Sequence, residues 1–350
     1  MVGAGAVGLG SAWELALKGH SVTLLDPRWD EPVLRQTSES ELNGTSASLG
    51  VLMGHVFRRT SGRGWRLRRR SMQLWPRWVE ALQEFETCLT LQTGLLQIAA
   101  DRDAAARMKA LAEQRKDLGL ELQTSDQVRT IWPTALHGAL HSRADGRVDP
   151  LRLQIALRRA LLQEGVQPLA TRVEQLERNG SGWRLHHAKG GSTCHDSVVI
   201  CSGLSAGALL EPLGHSLPIS PVLGQALTLQ LREGPTTWMH WPAVLVDQSF
   251  NLIPDGPGRL LLGATVEPGT DAADNPLALM RSLNDSAPEW LRSARVIEHW
   301  SGLRARPVDR PAPLLDVLEP GLIVASGHYR NGVLLAPATA EWVSTALQEP

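Results

Sequence analysis

Gly3-Ala4-Gly5-Ala6-Val7-Gly8 stands at the start of the chain, and Ser21-Val22-Thr23-Leu24-Leu25-Asp26 follows it. The first stretch has the spacing G-x-G-x-x-G; the second is an apolar run that ends on an acid. Between them Ala12, Leu15 and Ala16 recur at helical spacing. A glycine turn, a helix and a strand ending in a carboxylate are the parts of a dinucleotide-binding βαβ unit. The glycines let the backbone turn tightly and approach a pyrophosphate. The helix beginning near Gly5 aims its N–H groups and the positive end of its dipole at that phosphate. Asp26 is placed to accept hydrogen bonds from an adenosine ribose and to repel a 2′-phosphate, so FAD or NAD is favoured over NADP. Only Met1 and Val2 precede the turn, whereas a strand normally has about five residues. A late start or a truncated strand explains this equally well, and a missing central strand would expose sheet edges.

The 350 residues suffice for two lobes. A formal net charge of −1 argues against nucleic acid or an anionic membrane as partner. No run of 18 apolar residues is present, so no transmembrane segment is expected. The N-terminus shows no secretory pattern, and Cys88, Cys194 and Cys201 are scattered without metal-ligand spacing, so a cytoplasmic protein is expected. Twelve Trp stand against one Tyr, which confines phenol chemistry to Tyr329.

Outward from the glycine turn, residues 27–43 read as a polar loop. Helical spacing covers 65–90 and 101–118, and a further helix covers 149–165 with Asp149 as N-cap and Pro150 in the first turn. Ser197–Cys201 is a short buried strand running into Ser202-Gly203. Residues 222–231, 244–253 and 259–266 read as antiparallel strands. Leu322–Ala325 is a second buried strand, entering Ser326-Gly327-His328 and a helix from about Leu334. The expected fold class is α/β: a Rossmann-like nucleotide domain over 1–75, 145–215 and 300–350. It is interrupted by an α+β substrate domain with an antiparallel sheet over 76–144 and 216–299.

Several clusters admit two readings. Gly327-His328-Tyr329-Arg330-Asn331-Gly332-Val333-Leu334 is either a tight strand-to-helix turn or a backbone cradle for an oxygen atom. Arg304, read as lying in a loop after a strand-like segment, is either a surface arginine or a clamp for a substrate carboxylate. Seven arginines between Arg58 and Arg70 read as the solvated basic face of a helix rather than a nucleic-acid patch. His137 and His141 lack the acid that a helical metal site needs, so no metal is expected. No second G-x-G-x-x-G occurs, which argues against a two-nucleotide reductase.

Taken with Gly44–Gly50, Asp145–Pro150, Gly302-Leu303-Arg304…Asp309 and Gly327–Gly332, the chain resembles the D-amino-acid oxidase-like flavoenzymes, nearest their glycine oxidase branch. The resemblance implies non-covalent FAD. Carried over, Gly3, Gly5, Ala6, Val7 and Gly8 would meet the pyrophosphate, Asp26 and Pro27 the adenosine end, and Val173 the adenine. Thr45, Ser46, Leu49, Gly50 and Val51 would line the phosphates and ring, with Gly203 beside them. His328, Tyr329, Arg330, Asn331, Gly332, Val333 and Leu334 would touch the flavin and its ribityl chain. Arg304 would grip the substrate carboxylate, helped by Arg330, and no side chain takes a certain catalytic role. The implied reaction is oxidative deamination of glycine, sarcosine or a D-amino acid to an imino or oxo acid, with hydrogen peroxide and a link to thiamine thiazole synthesis. A dehydrogenase passing electrons to a carrier or quinone, an NAD-dependent dehydrogenase and a non-enzymatic flavin-binding protein are the alternatives. A homo-oligomer is compatible with the family. Two departures stand out: Asn251 where the family commonly has tyrosine, and the arginine-rich segment. No cysteine follows Cys201, so the covalent flavin link of related sarcosine oxidases is absent.

Overall fold

The structure, a computed structural model, describes residues 1–35, 43–232 and 240–348. Residues 36–42 of the expected polar loop lie outside it.

The short stretch before the glycine turn completes a sheet rather than leaving a gap. Val2 bridges in parallel to both Leu25 and Ile200. Val2 N–H donates to Val199 O at 2.9 Å and Gly3 N–H to Leu25 O at 2.8 Å. It thereby joins strands Thr23–Leu25 and Gln167–Leu169 on one side to Val198–Ile200, Leu322–Ser326 and Leu314–Glu319 on the other. All pairings are parallel except the last. Side chains alternate across this sheet, as the two-residue strand period requires. Leu24, Val199, Ile323 and Ala325 face a core shared with helices Ala6–Leu17, Gly62–Leu82, Pro150–Gln163 and Gly332–Ala346. Leu25, Val198, Ile200, Leu322 and Val324 face a second core closed by Trp183 and Leu185 of an antiparallel meander. Burial on both faces explains why these strands read as unbroken apolar runs.

The expected helix 149–165 forms over Pro150–Gln163, with the Asp149 carboxylate accepting from Leu151 N–H at 2.8 Å. Helix 65–90 is shorter and earlier than its spacing suggests, running over Gly62–Leu82. It docks on the C-terminal helix where Pro337 disturbs the backbone ladder. Trp75 Nε1 donates to Leu334 O at 3.0 Å, and Ser71 Oγ accepts from Ala338 N–H at 3.2 Å. The freed backbone groups next to the second glycine turn thus find partners on another helix.

A larger, mostly antiparallel sheet carries the other half of the molecule. Towards one edge of it, strand Ile219–Gln230 pairs with Arg295–Pro307 on one side and Arg259–Gly263 on the other. Two expectations are corrected here. Residues 244–253 are not one strand but a hairpin, Val244–Asp247 and Phe250–Pro254, turning at Gln248-Ser249 with φ of 48° and 70°. No glycine marks that turn, so the usual hairpin signal is missing. Arg304 is not in a loop: it lies inside the 13-residue strand Arg295–Pro307, opposite Val222. Leu260 and Leu262 point into a core with Trp132, Trp241 and Trp290 packed edge to face, while Leu261 points into the opposite core beside Leu49 and Val56.

Candidate active site

A cavity of about 1640 Å³ runs from the glycine turn of the parallel sheet to the face of the large sheet. That exceeds the roughly 300–1,000 Å³ of a pocket for one small ligand. Every predicted site residue lines it except Gly8 and Gly50. Those two act by close approach instead. A Cβ on Gly8 would sit 1.9 Å from Gly3 O, and one on Gly50, at φ +72°, would sit 1.8 Å from Val148 O.

At one end the site is backbone. Gly5 is the N-cap of helix Ala6–Leu17 and has no side chain with which to cap it. An uncapped first turn leaves N–H donors open to the cavity, where an anion satisfies them. Thr45 Oγ1 takes one of them, accepting from Ala6 N–H at 3.0 Å. The loop bearing Thr45 is held by Ser46, whose Oγ accepts from Gln154 Nε2 at 3.0 Å and whose N–H donates to Asn43 Oδ1 at 2.7 Å. Trp300 Nε1 donates to Ala47 O at 3.0 Å, tying the loop to the large sheet. The Asp26 carboxylate accepts from Ala4 N–H at 2.7 Å and Arg28 N–H at 2.9 Å, which fixes it at the rim. Pro27 and Val173 lie along the same end, and Gly203, at φ +62°, accepts through its carbonyl from Ser326 Oγ at 3.1 Å.

The second glycine turn forms the floor. It leaves strand Leu322–Ser326 and enters helix Gly332–Ala346 through the short 3₁₀ turn Tyr329–Asn331. Tyr329 adopts φ +55°, an uncommon conformation for a side-chain-bearing residue. His328 is buried, and its Nε2 lies 3.0 Å from Thr339 Oγ1. Burial, reinforced by Arg63, pushes its pKa down to about 3, so the ring is neutral at ordinary pH.

Side chains build the other end. Arg304 Nη1 donates to Leu223 O at 2.9 Å. Its guanidinium lies flat over Gly224, where a Cβ would come within 2.1 Å of Nη2. Burial first, then Arg330, pushes its pKa down to about 10, leaving it a cation at neutral pH. Among the described residues no carboxylate lies within 4.0 Å of Arg304 or Arg330. Asn251 lines the same region and donates from Nδ2 to Gly263 O at 3.0 Å.

The arginine-rich segment is corrected by the structure. It is not a wholly solvated face: Arg58, Arg59 and Arg68 line the cavity, and Arg63 Nη2 donates to Pro313 O at 3.3 Å and Leu315 O at 3.2 Å. Sequence spacing also gives no hint of the knot that holds residues 54–59. Asp145, fully buried, accepts from the N–H groups of Gly54, His55 and Val56 at 2.8–3.1 Å. Arg115 donates to the carbonyls of His55, Phe57 and Arg59 from the opposite side. The Asp145-Gly146-Arg147 motif was visible; its 90-residue reach was not.

A glycine-turn helix with open N–H groups, a fixed carboxylate at the ribose end and a long cavity fit FAD. A family model described as FAD dependent oxidoreductase matches residues 1–346. The glycine oxidase of Geobacillus kaustophilus is 29% identical over 363 residues, covering 99% of this chain and 92% of that one. The glycine oxidase of Pseudomonas putida is 31% identical over 264 residues, covering 71% and 68%. The crystal structure of the Geobacillus kaustophilus glycine oxidase aligns with a TM-score of 0.84 at 27% identity, covering 99% of this chain and 93% of that one. The cavity, its glycine turns and this match over almost the whole length lead to one assignment: the chain belongs to the FAD dependent oxidoreductase family, as an FAD-binding enzyme that oxidises an amino acid or amine at a CH–NH group.

Proposed function

We propose that this enzyme oxidatively deaminates a small amino acid, of the class of glycine, sarcosine or a D-amino acid, with oxygen as acceptor and hydrogen peroxide as product. The observation that carries this reading is the cationic, carboxylate-free Arg304 guanidinium in the same cavity as the uncapped glycine-turn helix. FAD, non-covalently bound, supplies hydride acceptance. The segments 1–75, 145–215 and 300–350 are proposed to hold it, and 76–144 with 216–299 to wall the substrate. Gly3, Gly5, Ala6, Val7 and Thr45 would hold the pyrophosphate, Asp26 the ribose, and His328–Leu334 the ring.

The chain's own work is positioning. Arg304, held over Gly224 by its bond to Leu223 O, would take the substrate carboxylate in a two-pronged contact, with Arg330 adding charge from the turn. That anchor fixes which Cα–H faces the floor. His328 stays neutral beside Thr339 and adds no positive charge there. No proton-transferring side chain is needed if the amine binds neutral. The imino acid released is hydrolysed by water, and its use in thiazole synthesis is the setting the glycine oxidase likeness suggests.

The test is anaerobic mixing of the purified flavoprotein with glycine, sarcosine and small D-amino acids. Flavin bleaching by at least one, with peroxide on readmitting air, is expected. Bleaching without peroxide, relieved only by an electron-carrier dye, makes the enzyme a dehydrogenase. Substituting Arg304→Ala is expected to raise KM at least about tenfold, or 1.4 kcal/mol, with FAD retained. Unchanged kinetics remove Arg304 from this role.

A further inference from the structure

In the proposed reading one substrate carboxylate pairs with Arg304 and Arg330, yet the same cavity holds a second set of arginines. Arg68 projects from helix Gly62–Leu82 and is only 8% exposed. Its guanidinium stacks over the Phe57 ring at 3.8 Å. Nη1 reaches no further than Gly64 O of its own helix, at 3.3 Å, and buried Nε has no partner among the described residues. No described carboxylate lies within ion-pairing distance of Arg68, Arg58, Arg59 or Arg107, all of which line the cavity. Three acids line the cavity. Asp26 and Glu31 flank the glycine-turn end, and Asp101 is spent as a helix cap, accepting from Ala104 N–H at 2.6 Å.

A buried cation without a counter-ion is costly, and the cost is offset when an anion arrives from outside. This wall is also built rather than loose. Asp145 holds the N–H groups of residues 54–56, and Arg115, itself 3% exposed, holds the carbonyls of 55, 57 and 59. Two devices therefore fix the backbone that presents Phe57, Arg58 and Arg59 to Arg68. Burial keeps the Arg68 pKa down at about 10, which still leaves it charged at neutral pH.

We propose that the preferred substrate carries a second acidic group, received by Arg68 with Arg58, Arg59 and Arg107, so that it is an amino or imino dicarboxylic acid rather than glycine. This rests on the reading that Arg304 takes the first carboxylate and deepens it by naming the substrate class.

Two measurements test it. Steady-state kinetics compare D-aspartate, D-glutamate and iminodiacetate with glycine, sarcosine and D-alanine. At least one dicarboxylate is expected to exceed every monocarboxylate in kcat/KM by about tenfold, and Arg68→Met to shrink that ratio to within about threefold. Separately, perturbation of the flavin spectrum measures binding of malonate, succinate and acetate, none of which is an amine. The dianions are expected to bind at least about tenfold tighter than acetate in the parent protein and not in Arg68→Met. Should Arg68→Met not fold, the exposed pair Arg59→Ala with Arg107→Ala is expected to move both ratios in the same direction. The proposal is overturned if no dicarboxylate outperforms the monocarboxylates and dianions bind no better than acetate, or if the variants lower both classes equally. If no amine bleaches the flavin while malonate still binds through Arg68, the amine-oxidising reading fails and the second anion site stands.

Discussion

The two ends of the cavity are made of different material. At the glycine-turn end the groups that line the cavity are backbone N–H donors at a helix start, and they come from a few residues adjacent in sequence. At the large-sheet end the working groups are side chains, and each is held by a segment far away: Arg304 by Leu223, residues 54–59 by Asp145 and Arg115. Backbone recognition tolerates little change of shape, because a Cβ has nowhere to go. Side-chain recognition tolerates changes in shape, but not the loss of a partner that leaves a charge or an N–H group buried alone. That difference predicts how each end breaks.

The largest effect belongs to Gly8→Ala. Its new Cβ would lie 1.9 Å from Gly3 O, with Cys201 Cβ 3.2 Å away. The purified variant is expected to carry no FAD, read as loss of flavin absorbance; normal flavin content would show that this turn has slack. Next comes Asp145→Ala at the other end, where three buried N–H groups lose their acceptor. At about 1–3 kcal/mol for each orphaned donor, a loss of roughly 3–9 kcal/mol in unfolding free energy is expected, with Asp145→Asn losing less. Denaturant titration measures it, and near-parity of Asp145→Ala with the parent would mean water replaces the carboxylate.

Gly224→Ala sharpens the comparison, because its Cβ would meet a side chain rather than backbone, 2.1 Å from Arg304 Nη2. Arg304 can swing where a carbonyl cannot. FAD is expected to remain bound while KM rises several-fold to about tenfold; loss of flavin would show that the two ends are not separable in this way. Thr45→Val, which removes the acceptor of Ala6 N–H at 3.0 Å, is expected to weaken FAD retention by about 1 kcal/mol. Smallest at neutral pH is the contribution of His328. Its folded pKa is about 3, against about 6.5 in an unfolded chain, so below 6.5 the unfolded state binds a proton that the folded state refuses. Stability is fully present above about pH 6.5 and is lost as pH falls toward about 3. Replacing His328 by Asn is expected to flatten that part of the stability profile, and an unaltered slope would show that His328 does not bear on it.

How legible each part was follows the same division. The glycine turns, Asp26, the Asp149 cap and the apolar strands Val198–Ile200 and Leu322–Ser326 are local patterns, and the fold class they imply is the one observed. The hairpin at Gln248-Ser249 escaped because it uses no glycine. Arg304 looked like a loop residue because the sequence around it shows no apolar–polar alternation, Leu303, Arg304 and Ala305 being half-buried one after another. Arg68 looked solvated because six other arginines surround it in sequence; only the position of Phe57 and the Arg115–Asp145 knot puts it against the cavity.

By itself the sequence determined that this chain would wind a parallel sheet around a dinucleotide, since the turn, the helix start and the acid lie within 26 residues and act through the backbone they share. Which arginines face the cavity was decided only by the tertiary structure. A side chain's charge is written in the sequence, but its burial and its partners depend on contacts between segments 60 to 250 residues apart. No local pattern encodes those distances, because they arise from how two sheets and their helices pack.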